Sequence, residues 1–161
     1  MADALDTYLN DHLAGAMFGS DLAQQLRKRS EGSPLGETLQ SLAPQIEEDR
    51  QTLIDVMERL GTTRSPVKQA TTWLAEKASR AKFGGVSASG TGLGIFMALE
   101  TLSLGVEGKL SLWTALKEIS DRYPPLDSIE LDELIERADA QRRVLERERL
   151  AASRQALHDE K

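Results

Sequence analysis

The sequence predicts an all-α bundle: four long helices in two antiparallel hairpins, joined by a long crossover that contains a fifth, shorter helix. Three observations predict it. Apolar residues recur at three- and four-residue spacing over long stretches. Ser-Pro pairs and glycines punctuate those stretches where helices would start and stop. Roughly 30 residues separate the second long stretch from the third, too many for a simple loop in a compact domain. At 161 residues, 40% of them hydrophobic, the chain suits one domain spanning 1–161 with a substantial core.

The first helix is expected from about Asp3 to Arg29, with Leu5, Leu9, His12, Leu13, Ala16, Ala23 and Leu26 on one face. Gly32 closes it. Ser33 offers a side-chain acceptor and Pro34 a pre-set backbone angle, so the second helix starts there and extends to about Leu60. Its stripe reads Leu39, Ala43, Ile46, Arg50, Leu53, Met57 and Leu60, and Gly61 is placed to cap its C-terminus. Ser65-Pro66 repeats the start signal for a shorter helix to about Ala81, using Val67, Ala70, Leu74 and Ala78, with Trp73 at its edge. At about 1.5 Å per residue, its roughly 16 residues rise about 24 Å, close to the length of a bundle, which makes it a crossover.

Residues 83–92, FGGVSASGTG, are rich in glycine and serine and read as a flexible linker. They divide 1–82, the first hairpin plus crossover helix, from 93–157, the second hairpin; 158–161 is a frayed tail. The third helix starts near Thr91 or Gly92 and reaches about Ser120. It is the most apolar segment and is expected to be the most buried. Tyr123-Pro124-Pro125 makes the turn, and Asp127 with Glu130 has the spacing of a capping box that would open the fourth helix. That helix uses Leu131, Leu134, Ala138, Arg142 and Leu145. Gly15, Gly19, Gly105 and Gly108 fall in helix interiors, where glycine costs about 1 kcal/mol relative to alanine. Close helix approach is the expected compensation, with room for a ligand between helices as the alternative.

Charge and composition exclude several classes. A net charge of −6 argues against nucleic acid, which requires a concentrated basic surface. Arg27, Lys28 and Arg29 form a small basic cluster that complements a helix C-terminus. Absence of cysteine removes disulfides and thiolate metal sites. The longest apolar run, Gly92 to Leu99, stops at Glu100, far short of the roughly 20 residues that span a bilayer. No basic region followed by an apolar run opens the chain, so a soluble cytoplasmic protein is expected, with no membrane partner. Gly90-Thr-Gly-Leu-Gly94 lacks a preceding strand and a phosphate-loop lysine, and is read as linker and cap. No nucleophilic triad is arranged in the sequence.

Four segments carry a resemblance: YLNDHLAGA (Tyr8 to Ala16), QIEEDRQTL (Gln45 to Leu53), WLAEK (Trp73 to Lys77) and LETLSLGVEGKLSLWTAL (Leu99 to Leu116). Over nearly the whole chain, the sequence resembles a bacterial family of uncharacterised proteins with a ferritin-like fold. The resemblance implies a ferritin-like four-helix bundle and brings no established activity or ligand. Ferritin-like di-iron proteins hold metal with inward carboxylates and a Glu-x-x-His motif on each of two helices. Here the corresponding places read Glu47-x-x-Arg50 and Asp139-x-x-Arg142.

Arginine has no lone pair to give a metal and adds a positive charge beside any cation. With Glu47, Asp139 and either Glu100 or Glu107 inward, three negative charges meet Arg50, Arg142 and a titratable His12. That set balances without metal, so a buried structural network of His12, Glu47, Arg50, Glu107, Asp139 and Arg142 is expected, and no cofactor. Gln141 competes with Arg142 for the inward register. The alternative is an atypical site in which His12, Glu47, Glu100, Glu107 and Asp139 hold iron or another divalent metal for an oxidoreductase or a storage protein. His158 lies too near the chain end to join it. The favoured function is a non-catalytic binding or scaffold protein with a degenerate metal site, with a homo-oligomer as the candidate assembly.

Overall fold

A computed structural model describes residues 4–65 and 92–158. The expected crossover helix and most of the glycine-serine linker lie outside the described residues. Among these, four α-helices and two 3-10 turns form an all-α bundle without strands: α1 (Ala4–Arg29), α2 (Pro34–Arg59), α3 (Gly92–Glu118) and α4 (Leu131–Ala156). None of the helices is long and apolar enough to cross a membrane.

Local chemistry explains the hairpin of α1 and α2. Gly32 and Gly61 adopt positive φ, at 79° and 69°, which glycine enters without a Cβ clash. Ser33 Oγ accepts from the Gly36 amide at 3.1 Å, and Pro34 occupies the first helical turn. Gly36 is needed for another reason: a Cβ there would lie 2.1 Å from the Ser30 carbonyl oxygen. Pro44 sits within α2 without ending it. It faces solvent, as does Gln40, whose carbonyl it deprives of a partner. Beyond α2, Asn10 of α1 ties down the chain by donating to the Thr63 carbonyl at 3.0 Å and accepting from the Ser65 amide at 2.9 Å.

The turn into α4 differs from the sequence expectation. Asp127 lies in a 3-10 run, Pro124–Ser128, and α4 begins at Leu131 after Glu130, which makes no side-chain cap. The consecutive prolines impose the tight run, so the capping box of Asp127 and Glu130 does not form. Asp132 and Glu133 in the first turn of α4 still complement the helix dipole.

Two apolar cores stack along the bundle. One combines Leu9 and Leu13 of α1 with Leu53, Val56 and Met57 of α2, Leu112, Trp113 and Leu116 of α3, and Leu131, Leu134 and Ala138 of α4. The other combines Leu22, Ala23 and Leu26 with Leu39 to Ile46, Ala98 to Val106, and Leu145. This partition sets the directions. The start of α1, the end of α2, the end of α3 and the start of α4 share one end of the bundle. The helices therefore run up, down, down, up, and α2 ends at the end opposite to that where α3 begins. The third helix is not the most buried: eight of its residues are buried, against nine in α2, and Leu93 and Leu104 remain exposed.

Candidate functional site

Between the two cores lies a charged layer. Asp49 of α2 has only 3% of its side chain exposed, and its carboxylate is engaged from three directions. Lys109 of α3 donates to Oδ2, Arg137 of α4 donates to Oδ1, and Gln141 of α4 donates to Oδ2 at 3.0 Å. Gln141, itself 2% exposed, accepts from Lys109 through Oε1 and donates to Gln45 Oε1 at 3.4 Å. Arg137 also reaches Glu48 Oε1 at 3.3 Å. Asp49 and Glu48 thus balance Lys109 and Arg137. Burial pushes the Lys109 amine below the ordinary lysine range, while the Asp49 charge opposes that shift.

The periodicity carried this layer in plain view. Leu39, Leu42, Ile46, Asp49, Leu53 and Val56 recur at alternating spacings of three and four, as do Leu99, Leu102, Val106, Lys109, Trp113 and Leu116. On α4, Leu131, Leu134, Ala138, Gln141 and Leu145 do the same. One polar residue interrupts each stripe, and all three meet at one level. Reading α2 through Arg50, one residue out of phase, concealed Asp49 and with it Lys109 and Arg137.

The structure corrects the expected buried network. Glu47 and Arg50 do pair, with Arg50 Nε 2.9 Å from Glu47 Oε2, but the Glu47 side chain is 42% exposed and flanks the core. Ser20 of α1 donates to the same carboxylate. The hydrogen bonds from Arg50 and then Ser20 bring Glu47 from 4.5 down to about 2. On α4 the inward residue is Gln141, and Arg142 is 45% exposed. Arg142 binds Asp139 at 2.9 Å and approaches Glu107 at 3.6 Å, while Arg143 takes the other Asp139 oxygen. Glu100 faces Arg149 at 3.5 Å. His12 packs edge-on against Tyr8, ring centroids 4.5 Å apart, and burial lowers its pKa.

His12, Glu47, Glu100, Glu107 and Asp139 therefore do not converge. The four carboxylates are held by arginines at the surface or half-buried: Glu47 by Arg50, Glu100 by Arg149, and Glu107 and Asp139 by a shared Arg142. Among the described residues, no group of three or more histidine and acidic side chains is gathered as metal ligands. The physical reason is the one-residue phase difference, which places these acids on the flanks of their helices.

A cavity of about 240 Å³ opens beside the charged layer, bounded by α1, α2 and α3. Gly15 and Gly19 line it from α1, and Gly105 and Gly108 from α3. Among the described residues, a Cβ added to Gly19, Gly105 or Gly108 would meet no neighbouring atom within 4 Å. Among the described helices, close approach is therefore not the reason for Gly19, Gly105 or Gly108. Lys109, Asp49, Arg50 and His12 reach the same space.

No protein-family model matches the chain, no curated protein matches it, and no solved structure matches it.

Proposed function

We propose that this chain is a ferritin-like bundle acting as a non-catalytic binding or scaffold protein, with a charged layer in the place of a metal centre. The up, down, down, up order of the helices supports the ferritin-like architecture, because it calls for one long connection between two hairpins. The observation that carries the functional reading is Asp49. Its two oxygens are occupied by Lys109, Arg137 and Gln141 at mid-bundle, and the lysine ammonium supplies the positive charge that a cation would bring. Neither the lysine nor the arginine has a lone pair to offer a metal in its charged form.

Metal analysis after incubation with ferrous, manganous and zinc salts tests this reading. The expected result is no stoichiometric metal after desalting, and a melting temperature unchanged by chelator. A stoichiometric metal that raises the melting temperature and is lost on Asp49→Asn would replace this reading with the alternative of a metal-dependent oxidoreductase or storage protein.

A further inference from the structure

The chain itself must travel the length of the bundle between α2 and α3. Because both helices run down, residues 66–91 connect opposite ends of the molecule. Asn10 fixes the departure, since it holds the Thr63 carbonyl and the Ser65 amide against the first half of α1. Gly94 marks the arrival: it shares a small pocket with Leu22, Leu26 and Arg29, near the other end of the same helix. Both ends of the path therefore lie beside α1.

Register decides what that path meets. The sequence predicts a helix from Ser65 to about Ala81, with Val67, Ala70, Leu74 and Ala78 on its apolar stripe. A helix leaving the Asn10 anchor parallel to α1 rises at the same rate of about 1.5 Å per residue, so each residue stands level with the one 55 positions earlier. The stripe then falls opposite His12, Gly15, Gly19 and Ala23. The first three line the cavity, and Ala23 is buried. Ala81 comes level with Leu26, and residues 82–91 can span up to roughly 33 Å to reach Gly92. We propose that residues 66–81 seat in this cavity as a helix parallel to α1, with Ala70 against Gly15 and Leu74 in the space between Gly19 and Gly105.

The chemistry of the two faces agrees with this seat. Ile46, Leu53, Leu102 and Leu112 give the cavity an apolar wall, and Leu104, 38% exposed, stands at its rim. An apolar stripe placed there leaves water, which is the driving force for docking an amphipathic helix. The groove between α2 and α4 is instead lined by Glu48, Asp55, Glu130 and Glu133, so the same stripe would lie against carboxylates. At Gly15 the absent side chain lets a second backbone come close, while at Gly19 and Gly105 it leaves room for a leucine.

A chain without cysteine permits a direct test by disulfide trapping. The pairs Gly15→Cys/Ala70→Cys and Gly19→Cys/Leu74→Cys, oxidised mildly in the full chain, join only if their Cα atoms come within about 7 Å. Both are expected to give a monomer lighter by two hydrogens, at least about tenfold faster than two control pairs. Gly15→Cys/Thr72→Cys moves the second cysteine off the stripe, and Thr52→Cys/Ala70→Cys reports on the α2–α4 face. Equal rates in all four, a faster Thr52 pair, or disulfide-linked dimers from a second copy on this face would overturn the seat. Tryptic cleavage at Lys68, Lys77 and Arg80 gives a second measurement. Gly19→Leu takes the space assigned to Leu74 and should speed that cleavage at least about tenfold, whereas Gly19→Ala adds only a methyl group and should leave it slow. Unchanged cleavage in a cooperatively folded Gly19→Leu protein would also overturn the proposal.

Discussion

Asp49 and Arg50 are neighbours in sequence and opposites in consequence. Arg50 belongs to a half-exposed pair, where solvent screens the charges, so Arg50→Leu is expected to cost under about 1 kcal/mol in chemical denaturation. Asp49→Ala leaves Lys109 and Arg137 without their shared carboxylate, and is expected to cost about 3–5 kcal/mol in the same measurement. Adding Lys109→Met to Asp49→Leu should recover a large part of that loss, because an apolar pair carries no desolvation penalty. His12 adds a pH dependence. Its folded pKa lies below 6.5, so the unfolded chain takes up the proton first, and the associated stability is present above 6.5 and lost as pH falls through the folded value. Unfolding curves between pH 7.5 and 5 should show that fall, and His12→Gln should flatten it. Glu47 has the same sign in a lower window, losing its contribution as pH drops from about 4.5 to about 2.

The helices show why glycine position matters more than glycine count. Gly36 sits where the start of α2 meets the Ser30 carbonyl, and Gly36→Ala must push that turn apart. Gly19, Gly105 and Gly108 lie in helix interiors where a Cβ meets no atom of the described residues, so alanine there should raise stability by roughly 0.5–1 kcal/mol each, through better helix propensity alone. Thermal unfolding of the four single variants should therefore move the melting temperature down for Gly36→Ala and up for the other three. All four look alike in the sequence, because what distinguishes them is the atom a Cβ would meet. The capping expectation at Asp127 and Glu130 has a similar lesson: spacing suited a box, and the tight turn set by Pro124 and Pro125 placed Asp127 before the helix instead of at its cap.

Across the bundle, every helix passes through both apolar cores and the charged layer between them, so neither core is expected to unfold alone. Leu39 and Trp113 lie in different cores. In a Trp73→Phe background, Leu39→Ala should lower stability by about 2–5 kcal/mol. It should shift the Trp113 fluorescence transition and the far-ultraviolet circular dichroism transition by the same amount. Separate transitions would mean that the polar layer divides the bundle into two units.

The four long helices, their turns at Gly32 and Gly61, and most of their apolar stripes were determined by sequence alone, since period, Ser-Pro starts and positive-φ glycines act over a few residues. The polar layer was legible in part: three stripes are each broken by one polar residue, although nothing local says that the breaks meet. Tertiary structure decided the rest, because a rotation of α2 by one residue exchanges Arg50 for Asp49, and packing of the α2 apolar stripe into both cores turns Asp49 toward Lys109, Arg137 and Gln141. The cavity belongs to tertiary structure altogether. A glycine that permits close packing and a glycine that borders open space are the same letter, and the distance to the next helix tells them apart.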